Sequence, residues 1–258
     1  MTDPSPDIPV EWRIPPPYLT LGPRDVHVWR GILDRSSSGL QPFWEVLNPV
    51  EQQRARRFVS PLHQDRFIVA HAIVRNILSL YVNVPPATIA FETGPHGKPF
   101  LTCPLDTGLF FNLSHSHNLA LLAITSIGEI GVDLEYNRPK LNYHAIADRI
   151  MSEEEKSIFH DLPPHQQSSA FFSCWTRKEA FVKAHGKGLG FPLHDFAVAF
   201  ASPDRPGIVT VHGHPDDGRK WSMFALSPGE QYTAALVVQG SPTMLHYWHF
   251  PDEHVSPA

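Results

Sequence analysis

The sequence predicts an α+β fold with two subdomains of comparable size, on three observations. Short apolar runs rich in β-branched residues alternate with long segments of helical period. The order strand, helices, strands runs to about Thr125 and then runs again, without a fixed-period repeat. The 26 prolines and 16 glycines punctuate the runs and shorten the connections. The expected divisions are a proline-rich extension over 1–24, subdomains over 25–127 and 128–240, and a tail over 241–258.

Each element has a local reason. Val26–Arg30 alternates as a first strand. Asn48 is placed to cap a helix with Pro49 at its first position and Glu51 completing a capping box. Arg54, Arg56 and Arg57 then lie along that helix, where a solvated face is the ordinary expectation. Phe67, Ala70, Val74, Ile77 and Tyr81 recur at three- and four-residue intervals, so a second helix over 65–81 turns this stripe to the core. A strand is expected over Thr88–Glu92, and Thr93-Gly-Pro-His-Gly-Lys-Pro99 then forms a tight loop. There the backbone can approach a ligand and Lys98 can reach it, although a plain turn accounts for the same residues.

Leu109–Leu113 reads as a buried strand running into Ser114-His115-Ser116-His117. A Ser-His nucleophile is disfavoured, because adjacent residues point apart and no strand-turn-helix elbow surrounds the serine. His115 is instead a candidate phosphate contact. An antiparallel hairpin is expected from Leu119–Ile127 through Gly128-Glu129 into Ile130–Tyr136. Ser152 opens a capped helix whose acidic first turn complements the helix dipole. A long helix follows from about His165, with Gly186 ending it and 187–190 as a loop. Four short strands complete the chain before the tail.

Composition narrows the function. The 258 residues, 42% of them hydrophobic, suffice for a core. A net charge of −5 and a pI near 6.3 argue against a general nucleic-acid binder, so any anion site must be local. No stretch of about 18 apolar residues and no signal-like N-terminus occurs, so no membrane partner and a cytoplasmic location are expected. Cys103 and Cys174 lack metal-site spacing and read as buried small residues.

The chemistry concentrates in two stretches. Asp133 and Glu135 are two apart in a strand-like run, so both carboxylates leave one face and call for a cation. On the long helix Phe172, Trp175, Glu179 and Val182 share a stripe, which turns Glu179 inward among aromatics with Lys183 one turn on. A buried carboxylate is costly unless paired or metal-bound. Together these point to a magnesium and phosphate site, with an i,i+4 surface pair as the plainer account of Glu179 and Lys183.

Gly131-Val-Asp-Leu-Glu135 followed by Trp175-Thr-Arg-Lys-Glu-Ala-Phe-Val-Lys-Ala184 resembles the paired signature of the 4′-phosphopantetheinyl transferases of the surfactin-synthetase-activating type. Gly97-Lys-Pro99, Asn112-Leu-Ser-His115 and Gly186-Lys-Gly-Leu189 extend the resemblance in order over about residues 48–200. The resemblance implies a monomer of two similar α+β subdomains related by a pseudo-twofold axis, with coenzyme A and Mg²⁺ between them. It implies transfer of the phosphopantetheine arm to a serine of an apo acyl carrier protein or a peptidyl or polyketide carrier domain, releasing adenosine 3′,5′-bisphosphate. Carried over, Asp133, Glu135 and Glu179 hold the metal, and Glu179, Lys183 and His115 are the catalytic set. Arg54, Thr93, Gly97, Lys98, Pro99, Asn112, Ser114, His115 and Lys183 contact coenzyme A. The proline-rich opening, the tail, and the neutral Gln52 and Gln53 beside Arg54 depart from the pattern.

Overall fold

A computed structural model describes residues 11–36, 39–104, 107–139, 141–201, 207–211 and 218–251. In the first half, strand β1 (Asp25–Ile32) leads to helices α1 (Gln41–Glu45), α2 (Pro49–Ala55) and α3 (Pro61–Val82). The hairpin of β2 (Ala90–Thr93) and β3 (Pro99–Cys103) precedes β4 (Phe110–Ser116) and β5 (Leu119–Thr125). The second half begins with β6 (Ile130–Tyr136), followed by helices α4 (Tyr143–Ile150), α5 (Glu153–Asp161) and α6 (Pro164–His185). Strands β7 (Phe196–Ala199), β8 (Gly207–Val211), β9 (Trp221–Leu226), β10 (Tyr232–Gln239) and β11 (Met244–His249) complete it.

The α+β class expected from the pattern is the one observed. Two sheets of order β11-β1-β5-β4 and β6-β10-β9 carry the core, with the hairpins β2-β3 and β7-β8 apart from them. Every ladder is antiparallel except β1 with β11. The apolar faces meet in a layer that holds Val28, Leu121 and Ala123 from one sheet and Val132, Leu134 and Leu236 from the other. The outer face of the larger sheet is covered by α3, whose Ile73 and Ile77 share a cluster with Trp29 of β1, and that of the smaller by α6, whose Phe181 and Ala184 share one with Val237 of β10. With both faces of the sheets covered, all seven residues of β5 are buried.

The capping boxes at Asn48/Glu51 and Ser152/Glu155 form as their spacing requires. Gly186 ends α6 with φ of 74°, the left-handed conformation that glycine adopts without a Cβ clash. Residues 188–190 add a short 3₁₀ turn.

Three expectations change. Residues 119–127 and 130–136 do not form a hairpin: β5 is already hydrogen-bonded on both edges, to β1 and β4, so β6 pairs with β10 in the other sheet. The segment expected as a tail supplies β11, whose register sets His246 beside His27 and Trp248 beside Trp29. Within the proline-rich extension, Arg13 bridges to Trp248 and Trp12 packs edge-on to Tyr247. Cys103 is exposed rather than buried, and both cysteines are free.

Candidate active site

The site forms where the edge strands of the two sheets meet. β4 and β6 exchange no main-chain ladder; three alternate side chains of β4 replace it. The Asn112 Oδ1 accepts the Val132 N–H at 2.8 Å, Ser114 Oγ accepts Leu134 N–H at 3.2 Å, and Ser116 Oγ accepts Tyr136 N–H at 3.1 Å. The serine hydroxyls in turn donate to the carboxylates of β6, Ser114 to Asp133 at 3.2 Å and Ser116 to Glu135 at 3.1 Å. Asn112 and Ser114 are thus bound up in joining the sheets. Period-two spacing puts all three on one face of β4, which is the legible signal that a reading of Ser114-His115 as a motif passes over.

Helix α6 approaches β6 closely because residue 131 is glycine. A Cβ there would overlap the Ala180 carbonyl oxygen and the Ala184 amide nitrogen, and lie 2.9 Å from Ala184 Cα. At this separation Lys183 reaches across to the strand: its Nζ donates to Asp133 Oδ1 at 2.6 Å, Ser114 Oγ at 2.9 Å and the Val132 carbonyl at 3.3 Å. Asp133 is buried, and its second oxygen, Oδ2, is buried without a hydrogen-bond partner. An unpaired carboxylate oxygen in a site with little water is costly, and a cation is the group that relieves it.

The flanking carboxylates face two hollows. Glu179 lines one of about 310 Å³ with Lys98, Pro99, Asn112 and Lys183, rather than facing inward among aromatics. Glu135 lines another of about 220 Å³ with Arg138, Phe171 and Trp175. Desolvation raises the pKa of both, and the Asp133 charge raises it further; the nearby Lys183 opposes the shift in each, as does the Ser116 hydroxyl at Glu135. The three carboxylates do not share one point of convergence: among the described residues, the acidic-or-histidine set with ligand atoms within 4.8 Å of one another is Asp25, His27 and His246. Asp133 alone combines burial with an open oxygen.

These shifts carry a stability consequence. A carboxyl whose folded pKa lies above its unfolded value binds more protons when folded, so stability falls as pH rises through the window between the two values. Glu179→Gln removes that penalty. The metal-free variant is expected to melt above the metal-free wild type at neutral pH, with the gap closing near roughly pH 4, where the unfolded carboxyl also protonates. Thermal melts in chelator at both pH values check this; a lower melting temperature at neutral pH would count against the electrostatic account.

Cations gather on the β4 side. His115 opens to solvent at the strand end, and its pKa is lowered by desolvation against the cleft wall and then by His71, Lys183 and Arg66. His71 contacts Glu51 at 3.2 Å and Arg66 is held bidentately by Asp34, so α3 supplies an imidazole and a guanidinium that the amphipathic stripe does not single out. Arg54 is exposed in the last turn of α2, with its guanidinium 5.2 Å from the Phe67 ring centre. Gly97 turns the 94–98 loop with φ of 85°, and that loop packs His96 against Gly188. Lys98 is engaged differently from expectation: its Nζ donates to Glu129 at 2.5 Å and to the carbonyls of Ile130 and Ala184, tying the loop to β6 and α6. Burial lowers its pKa against the opposing pull of Glu129. Thr93 is exposed at the end of β2 and does not line the Glu179 hollow, whereas Gly97 and Pro99 do.

Behind the site, Lys178 is fully buried and paired with Glu155 at 2.7 Å, with further bonds to the Leu193 and Phe196 carbonyls. The same Glu155 caps α5 and accepts the Val198 N–H. This network fixes α6 beside Glu179, and removing either partner would leave a buried unpaired charge.

The fold and site therefore define a two-sheet α+β protein in which Asp133, with one open oxygen, and Lys183 sit where the sheets meet, flanked by Glu135 and Glu179 in two adjoining hollows. Residues 129–237 match the 4′-phosphopantetheinyl transferase superfamily, and 34–127 match the 4′-phosphopantetheinyl transferase N-terminal family. The chain is 37% identical to the 4′-phosphopantetheinyl transferase HetI of Nostoc sp. over 93% of its own length and 98% of that protein's. It is 29% identical to the 4′-phosphopantetheinyl transferase Sfp of Bacillus subtilis, over 72% of its length and 85% of that protein's. The chain belongs to the 4′-phosphopantetheinyl transferase superfamily.

Proposed function

We propose that this chain transfers the 4′-phosphopantetheine group of coenzyme A to a serine hydroxyl of an apo acyl- or peptidyl-carrier protein, releasing adenosine 3′,5′-bisphosphate. The observation that carries the reading is Asp133, buried between the sheets with one oxygen on Lys183 and the other unpaired, in a chain of this family. Its open oxygen and the charge burden on Glu135 and Glu179 suit a hard divalent cation, so these three would hold Mg²⁺, the two glutamate side chains rotating from their hollows toward Asp133. When bound, the metal supplies charge neutralisation on the pyrophosphate.

The chain's own residues account for the remaining work. Lys183 presents an ammonium beside Asp133, where it faces developing negative charge as the phosphorus–oxygen bond breaks. His115, with His71 and Arg66 close by, gives the cleft a wall that favours phosphate. Glu179, at the wall of the hollow it shares with Lys183, takes the serine proton. Gly97 and Pro99 border the hollow that Glu179 lines, a place for the nucleotide end of coenzyme A. The protein acts as a cytoplasmic monomer in this reading; among the described residues no helix is long and apolar enough to cross a membrane.

Incubation with coenzyme A, Mg²⁺ and an apo carrier, followed by intact-mass measurement, tests the proposal. The carrier is expected to gain one phosphopantetheine on its serine, and chelator is expected to stop the reaction. Breakdown of coenzyme A at the same rate without a carrier would instead mark a phosphohydrolase.

A further inference from the structure

The expected tail brings a second group of ligands together, away from the cleft. Asp25 and His27 leave the same face of β1, two residues apart, and His246 on β11 lies directly across from His27 in the parallel ladder. Their ligand atoms all lie within 4.8 Å of one another. His27 is 1% exposed, and the His27 and His246 rings meet edge to face with centres 4.9 Å apart. On its other side His246 stacks on Trp248, at 5.7 Å and an angle of 6°. Two imidazoles and one carboxylate are the donor set that zinc takes, in contrast to the oxygen set of the cleft.

We infer that Asp25, His27 and His246 form a zinc site that ties the last strand of the chain to the first strand of the larger sheet. The surroundings suit the task. The Tyr81 hydroxyl lies 2.7 Å from His27 Nδ1 and also accepts the Trp29 indole N–H at 2.8 Å. It thereby fixes the His27 ring and leaves Nε2 as the nitrogen for a metal, as an outer partner does for a ligating histidine. The Asp25–His246 contact is 3.5 Å, too long to hold either group firmly. Zinc–ligand bonds of about 2.0–2.1 Å require donors about 3.4 Å apart in a tetrahedron. Small rotations of the half-buried Asp25 and His246 about the fixed His27 supply that closure. The ladder partner of β11 is β1, and its other side meets the single bridge from Arg13, so a cation spanning β1 and β11 anchors the strand where main-chain pairing is sparse.

Titration of chelator-treated full-length protein with Zn²⁺, in saturating Mg²⁺ and read by calorimetry and thermal melting, tests this. One zinc per chain and a raised melting temperature are expected. His246→Gln and Asp25→Asn are each expected to weaken this binding at least tenfold while carrier modification in Mg²⁺ is unchanged; Asp133→Asn is expected to keep it. Absence of the site, or its loss in Asp133→Asn with retention in His246→Gln, overturns the inference. Should a variant fail to fold, imidazole NMR of the wild type decides: zinc-dependent shifts at His27 and His246 uphold the site, and shifts confined to other histidines overturn it.

Discussion

Asp133→Ala is expected to lower the rate of carrier modification by on the order of 10²–10³-fold, the size of loss seen when one electrostatic contributor to a transition state is removed. The fold is expected to survive, because Lys183 keeps Ser114 Oγ at 2.9 Å and the Val132 carbonyl at 3.3 Å. The mutation also relieves Glu135 and Glu179, since the Asp133 charge is the second cause, after desolvation, of the raised pKa at each. Carrier-modification rates for both proteins at saturating coenzyme A and Mg²⁺ measure the loss. A wild-type rate in Asp133→Ala would remove this residue from the metal site.

Gly131→Ala is expected to destabilise the protein by about 3 kcal/mol, a drop in melting temperature of roughly 6–12 °C for a chain of this size. The clash is with the backbone at Ala180 and Ala184, which no rotamer change can relieve. Helix α6 must move away from β6, and it takes Glu179 and Lys183 with it, so activity should fall even at temperatures where the variant is folded. Gly207→Ala is the matched control: among the described residues nothing lies within 4 Å of a Cβ there, and a change within about 0.5 kcal/mol is expected. Equal melting temperatures for the two variants would mean that α6 does not depend on this close approach.

Local chemistry was legible wherever it was local. Asn48, Glu51, Ser152 and Glu155 announced two helix starts because capping requires residues only three apart. The same held for Asp133 and Glu135, whose period-two spacing put them on one strand face, and for Glu179 and Lys183 at one turn of helix. The partner of a strand edge was not legible. Nothing near Ile130 indicates that β5 is already occupied on both edges, so the nearest strand looked like the pairing partner and β10, about a hundred residues on, did not. Residues 241–258 followed the same logic, because the edge that β11 completes belongs to the first strand.

What the sequence by itself determined is the set of groups proposed for the chemistry: three carboxylates, a lysine and a histidine in an order that also matches a family. Tertiary structure decided how each one is used. It engaged Asn112, Ser114 and Lys98 in joining β4, β6, α6 and the 94–98 loop, leaving Asp133 with one buried open oxygen. The reason is that hydrogen-bond capacity is filled by whatever is nearest in space. A residue type states what a side chain can bind, while packing decides which of those bonds are already made.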